Sequence, residues 1–129
     1  MLDRWERETE LVIGAAMEVH RQVGPGLLES AYVACLRHEL TLRGLAWQAE
    51  VPVSLHYKGL HVDSAYRADR VVLDVVLVEV KAVAALSPAH EAQALTYMRF
   101  LHLPVGLLLN FNQRLLRDGV RRMLLPAPR

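Results

Sequence analysis

Hydrophobic residues recur at helical spacing through the first third of the chain. In residues 5–23 the apolar positions are Leu11, Val12, Ala15, Ala16, Val19 and Val23. This spacing predicts an amphipathic helix, which the run Gly24-Pro25-Gly26 then interrupts. A second helix is predicted over residues 27–43, with one apolar stripe and with Gly44 as its C-terminal cap.

After Gly44 the pattern is typical of β-strands, because apolar residues alternate with polar ones or form short runs bounded by turns. The predicted strands are residues 51–57, 60–73 (bent on the way), 75–81, 105–110 and 120–125. A third helix is predicted over residues 87–102, with Ser87 as N-cap and Pro88 in its first turn. This order predicts an α/β fold in which helices flank a central mixed sheet, and the length fits a single domain over residues 1–129.

The third predicted strand carries two charges at its end. It is otherwise apolar, which predicts a central strand covered on both faces. Side chains alternate between faces, so Glu79 and Lys81 project together. The pair has three explanations: a strand end that reaches solvent, a structural ion pair, or a functional site. Asp69 favours the third, because the turn at Asp74 folds its strand back against Glu79.

Two carboxylates on adjacent strands can hold a hard cation such as Mg²⁺, which activates water and neutralises charge on a phosphodiester. Lys81 would position the water or stabilise the pentavalent phosphate. On a helical wheel Glu29 falls within the apolar stripe of the second helix and is expected to face the interior, although Glu39 also falls within that stripe. Gln93 and Tyr97 share one face of the third helix, where a surface amide and a core tyrosine are the favoured interpretation of the pair alone.

Several segments together carry a resemblance to a known family. They are G-x-x-E-x-x-Y at residues 26–32, Tyr66-Arg67-Ala68-Asp69, Val78-Glu79-Val80-Lys81-Ala82, His90-Glu91-Ala92-Gln93 and Leu109-Asn110-Phe111-Asn112. With these segments the chain closely resembles the bacterial GxxExxY proteins of the PD-(D/E)XK nuclease-like superfamily, over residues 11–124.

The resemblance implies a restriction-endonuclease-like core and phosphodiester hydrolysis that depends on Mg²⁺ or Mn²⁺. It implies catalytic roles for Asp69, Glu79, Lys81 and Glu29, metal ligands at Asp69, Glu79, Glu29 and the Val80 carbonyl, and substrate contacts at Gln93 and Tyr97. The chain departs from the family pattern at two positions. Ala68 stands where a proline often precedes the aspartate, and Arg70 stands where an apolar residue is expected, on the opposite side of the strand from Asp69.

Charge and composition leave the partners open. The formal net charge of +1 does not indicate a nucleic-acid binder. The last stretch nevertheless contains Arg114, Arg117, Arg121, Arg122 and Arg129 against only Asp118, which is either a phosphate-contacting patch or a solvated tail. No apolar run approaches the roughly 18 residues of a membrane span. The single cysteine, Cys35, and an N-terminus without the apolar run of a secretory signal favour a cytoplasmic protein.

Two functions remain open at this stage. The first is a metal-dependent nuclease acting on DNA or RNA, for which the complete set of acids is the argument. The second is a non-catalytic nuclease-fold module that binds nucleic acid or a protein partner, for which small size and near-neutral charge are the argument. A zinc site is disfavoured, because the six histidines lack ligand spacing. The sequence leaves a homodimer and a monomer equally open.

Overall fold

The structure, a computed structural model, describes residues 4–126, apart from the side chains of residues 64 and 65. Its elements are α1 (Glu6–Val23), α2 (Glu29–Leu42), β1 (Trp47–Tyr57), β2 (Leu60–Val72), β3 (Val76–Lys81), α3 (Pro88–Leu101), β4 (Val105–Asn110), a 3₁₀ helix (Leu116–Gly119) and β5 (Val120–Leu124). The described α-helices all lack the combination of length and hydropathy that crossing a membrane requires.

The five strands form one mixed sheet in the order β1-β2-β3-β4-β5. β3 and β4 are parallel and are connected through α3, whereas the other neighbours are antiparallel. On one face Val76, Val78 and Val80 of β3 belong to a core cluster with α1 and α2. On the other face Leu77 belongs to a cluster with α3. The predicted fold class is therefore confirmed, and β3 is covered on both faces.

The N-terminus of α3 is fixed by two reciprocal hydrogen bonds. The Ser87 hydroxyl oxygen accepts from the backbone N–H of His90 at 3.3 Å, and His90 Nδ1 accepts from the backbone N–H of Ser87 at 3.0 Å. This capping box satisfies two donors that the first helical turn leaves unpaired. The predicted cap at Ser87 is confirmed, and His90 acts on the helix terminus.

β1 changes the face that it presents at Glu50. Trp47 packs against the cluster of α1 and α2, whereas Val51 packs against the cluster of α3. Strict alternation would place both on one face. Glu50 has a φ of 51°, in the left-handed region that side chains other than glycine rarely adopt. The register pairs Ala49 with Arg70 and Val51 with Ala68, the residues on either side of Asp69, so this irregularity adjoins a predicted site residue.

Two element boundaries differ from the predicted ones by more than one residue, and one element is new. α2 begins at Glu29 rather than at residue 27, β1 begins at Trp47 rather than at residue 51, and the 3₁₀ helix was not predicted. The bend expected in β2 stays a prediction; its pairing with β1 has a register shift between Val53 and Leu55, an irregularity of the kind that bends a strand.

Candidate functional site

The candidate site forms where β2 and β3 separate. Their register pairs Val72 with Val76, Val71 with Leu77 and Arg70 with Val78, and ends there. At the next position Asp69 Oδ2 accepts a hydrogen bond from the backbone N–H of Val80 at 3.0 Å. A side chain thus takes the place of the next backbone ladder bond, which holds the two diverging strands at a fixed spacing.

Glu79 is a buried acid beside Asp69. Its side chain is 4% exposed, and its Oε1 atom has no hydrogen-bond partner within the described residues. Burial raises the pKa of Glu79 to about 9, and the charge of Asp69 and a hydrogen bond with Asp69 add to this effect. The positive charge of Lys81 acts in the opposite direction. The Glu79 carboxyl therefore holds a proton at neutral pH, and one of its oxygens lacks a partner.

Tyr97 reaches the same acids from α3. It is buried, and its ring centroid lies 6.0 Å from that of Tyr66. Burial raises the pKa of Tyr97, with smaller contributions from the charges of Glu79, Tyr66 and Asp69. The hydroxyl therefore lies within electrostatic reach of both carboxyls. Gln93, one turn earlier on α3, is exposed, so the two predicted substrate contacts sit at different depths.

Lys81 lies at the end of β3, partly exposed and paired with Asn110 of β4. Asn110 is fully buried, and its side chain fixes the segment that follows Lys81. Its Oδ1 accepts from the backbone N–H of Val83 at 3.1 Å, and its Nδ2 donates to the Val83 carbonyl at 2.9 Å. In the sequence, Asn110 stands out only as part of a segment that carries the family resemblance. The structure shows that its side chain holds the backbone that follows Lys81.

Glu29 does not face the interior as the helical wheel predicts. It is exposed and is the first residue of α2, and the buried residues of this helix begin at Tyr32. It lines a cavity of about 360 Å³ that Asp69 also lines. The structure thus brings Asp69, Glu79, Lys81 and Tyr97 together and leaves Glu29 at the border of the same region.

The tyrosine of G-x-x-E-x-x-Y holds the loop that precedes Glu29. The Tyr32 hydroxyl donates to the Gly24 carbonyl at 2.7 Å and accepts from the backbone N–H of Leu27 at 3.0 Å. Its ring stacks on Phe111 with a centroid distance of 4.7 Å. The spacing of the motif is therefore explained by local structure, in which the tyrosine fixes the loop and the loop sets where α2 begins.

Comparison with known proteins adds one finding to this geometry. The chain matches the sequence profile of the PD-(D/E)XK nuclease superfamily over residues 6–123. It belongs to this superfamily. No curated protein and no solved structure matches the chain. The restriction-endonuclease-like fold of this PD-(D/E)XK protein agrees with the mixed sheet and flanking helices described above.

The acid pair of this PD-(D/E)XK protein fits a hard divalent cation. Between residues 4 and 126, no three His, Cys, Asp or Glu side chains converge as a metal-binding group. Mg²⁺ does not need such a group, because one or two carboxylates together with water and substrate phosphate commonly bind it. The Oε1 atom of Glu79, beside Asp69 and without a partner among the described residues, is an oxygen that could serve as such a ligand.

The arginines near the C-terminus do not share one surface of the PD-(D/E)XK protein. Arg122 donates to the Thr9 hydroxyl of α1 at 3.1 Å, whereas Arg121 lines a cavity with Glu91 of α3 on the other side of the sheet. Arg114 and Arg117 line a third, larger cavity of about 590 Å³. The fifth predicted member of the patch, residue 129, lies outside the described residues.

Proposed function

We propose that this protein is a divalent-metal-dependent nuclease that hydrolyses phosphodiester bonds of DNA or RNA at Asp69, Glu79 and Lys81. The observation that supports this most directly is the meeting of the Asp69 and Glu79 carboxyls where β2 and β3 separate, with a buried Glu79 oxygen that has no partner among the described residues. Membership of the PD-(D/E)XK nuclease superfamily supports the reaction class.

Each residue has a separate role in this proposal. Asp69 and Glu79 hold Mg²⁺ or Mn²⁺, with the Val80 carbonyl and Glu29 as further ligands. When bound, the ion supplies Lewis-acid activation of water and neutralises charge at the phosphate. The Lys81 ammonium orients the attacking water and stabilises the negative charge that develops on the phosphate oxygens. Tyr97 and Gln93 contact the nucleic-acid strand from α3.

Binding of a metal in this site is coupled to release of a proton. The raised pKa of Glu79 means that its carboxyl is neutral at pH 7, whereas a carboxylate ligand must be ionised. Metal affinity is therefore expected to rise with pH up to about 9. Burial makes the acid pair unfavourable in its charged form, and a divalent cation held by Asp69 and Glu79 would offset that charge.

The proposal is tested by titrating Mn²⁺ and Mg²⁺ calorimetrically into wild type and Asp69→Asn. The asparagine retains an oxygen that accepts from the Val80 N–H and removes only the charge. Wild type is expected to bind and Asp69→Asn to bind at least roughly tenfold more weakly, since one charged ligand is lost. Asp118→Asn, an exposed acid on the 3₁₀ helix, is the matched control. Absence of binding by wild type at millimolar metal would contradict the proposal.

A nuclease assay with single- and double-stranded DNA and RNA then separates the two functions left open by the sequence. Cleavage by wild type that is lost in Asp69→Asn supports the nuclease. Metal binding without cleavage of any of these substrates would instead favour a non-catalytic module that binds nucleic acid or a protein partner.

A further inference from the structure

Two arginines, Arg70 of β2 and Arg37 of α2, lie on the side of the sheet that α2 covers. Arg70 is 0% exposed and has the largest fully buried side chain of the described residues. Its Nη1 donates to the Val33 carbonyl of α2 at 3.4 Å, and its Nε has no hydrogen-bond partner among residues 4–126. Arg37 of α2 likewise has a buried Nε without a partner in that range. In the described part of the chain, no carboxylate forms an ion pair with either guanidinium.

Such an arrangement is unfavourable without a counter-charge. Arginine side chains stay charged in proteins, so the fully buried Arg70 places a positive charge away from water. A buried cation needs a charged or hydrogen-bonding partner for its donors. The protein therefore holds two neighbouring cations, each with a buried Nε that lacks a hydrogen-bond partner among the described residues.

Both arginines line a cavity of about 360 Å³. It lies between α2 and β2 and is lined by Glu29, Ser30, Arg37, Glu50, Asp69 and Arg70, among others. Its carboxylates are directed elsewhere or face water: Glu29 and Glu50 are exposed, and Asp69 accepts from the Val80 N–H. Arg37 and Arg70 are the two cations of the lining, and the hydroxyl of Ser30 is a further polar group there. The Arg37 guanidinium also lies 5.6 Å from the centroid of the Trp47 ring, and the charges of Asp69 and Glu79 act on Arg70.

We propose that this cavity binds a phosphate group of the nucleic-acid strand held at the acid pair, through Arg70 and Arg37. The inference rests on the proposed function and adds a second contact to it. The planar guanidinium presents paired donors that match the oxygens of phosphate. Asp69 belongs both to the cavity lining and to the acid pair, so the bound phosphate neighbours the one that is hydrolysed.

The phosphate has two sources, a terminal phosphomonoester or an internal phosphodiester. The experiment measures fluorescence anisotropy of a 3′-labelled single-stranded oligonucleotide in EDTA, with either a 5′-phosphate or a 5′-hydroxyl. It compares wild type, Arg70→Met, Arg37→Met and the control Arg43→Met. Arg43 follows the same helix, pairs with Glu39 and lies outside the cavity lining.

Arg70→Met and Arg37→Met are each expected to raise the dissociation constant roughly tenfold or more, as loss of a charged hydrogen-bonding partner does. Arg43→Met is expected to stay within about twofold of wild type, because exposed ion pairs contribute little. If wild type prefers the 5′-phosphate oligonucleotide and both cavity variants lose that preference, the cavity binds a terminal phosphate. If both variants bind the two oligonucleotides equally more weakly than wild type does, the cavity binds an internal phosphate.

Binding by both cavity variants that equals that of Arg43→Met would overturn the inference. If Arg70→Met fails to fold by circular dichroism, Arg37→Met and Arg70→Lys decide instead, since lysine keeps the charge without the paired donors. The outcome is distinct from that of the nuclease proposal. Asp69→Asn and metal titration test the acid pair, whereas binding in EDTA tests the arginines alone.

Discussion

The carboxylate of Asp69 accepts a hydrogen bond from the Val80 N–H, and this contact joins two strands where their backbone pairing has ended. It also directs Asp69 toward Glu79 and leaves the Glu79 Oε1 atom without a partner among the described residues. At the scale of single residues, Glu79 is therefore a buried acid that keeps its proton until a cation can compensate the charge of its carboxylate.

The first prediction concerns the pH dependence of stability in EDTA. The folded state keeps the Glu79 proton up to a pKa of about 9, whereas the unfolded chain releases it near the ordinary value of 4.5. The free energy of unfolding contributed by Glu79 therefore falls as pH rises between these values, by at most about 1.4 kcal/mol per pH unit. Denaturant unfolding from pH 5 to 8 should show this slope in wild type and lose it in Glu79→Gln.

The exposed residue Glu10 supplies the control, because Glu10→Gln should keep the wild-type slope. Equal slopes in Glu79→Gln and wild type would show that the Glu79 carboxyl is already ionised in the folded protein.

The second prediction separates Lys81 from the metal ligands. Lys81→Met should bind Mn²⁺ within a few-fold of wild type, because an ammonium is not a ligand. Its turnover should fall by a factor on the order of 10² to 10³, as loss of one group that stabilises transition-state charge does. Calorimetry and single-turnover cleavage measure the two quantities. Cleavage by Lys81→Met at the wild-type rate would remove the lysine from the mechanism.

At the scale of elements, sequence patterns predicted each helix and strand to within a few residues at most boundaries, because amphipathic periodicity and turn residues are local signals. They also placed Asp69 beside Glu79 from one hairpin turn.

Sequence patterns failed where tertiary packing decides the structure. β1 changes the face that it presents at the left-handed Glu50, and Glu29, the first residue of α2, is exposed rather than turned to the interior. The unpaired donors of Arg70 depend on α2, which lies far away in sequence.

The third prediction tests how the G-x-x-E-x-x-Y segment fixes the start of α2. Tyr32→Phe keeps the stacking on Phe111 and removes the hydroxyl that joins the Gly24 carbonyl to the Leu27 N–H. The free energy of unfolding should fall by about 1–2 kcal/mol, because two backbone groups lose a partner. Denaturant unfolding measures it, with the exposed Tyr57→Phe as control. A loss below about 0.5 kcal/mol would show that the loop holds its position without the hydroxyl.

At the scale of the whole molecule, the charge is almost balanced, at a formal +1. The sheet also separates the C-terminal arginines, with Arg121 on the α3 side and Arg122 on the α1 side. A single strand of nucleic acid therefore cannot contact all of them from one direction. The cations that adjoin the candidate site are few: Lys81 at the end of β3, and Arg37 and Arg70 at the cavity.

This distribution leads to the fourth prediction, on the salt dependence of nucleic-acid binding. Each phosphate of a single strand that a cation neutralises contributes about −0.7 to the slope of log K against log salt concentration, so three cations give a slope of about −2. Anisotropy titrations of single-stranded DNA into Asp69→Asn, between about 50 and 200 mM salt, measure it without cleavage. Lys81→Met in this background should make the slope shallower by about 0.7, whereas Arg114→Gln, in the separate cavity, should leave it unchanged. A slope of about −5 or steeper in Asp69→Asn would contradict the prediction. That many neutralised phosphates require a wider cationic surface, such as one made by two copies of the chain.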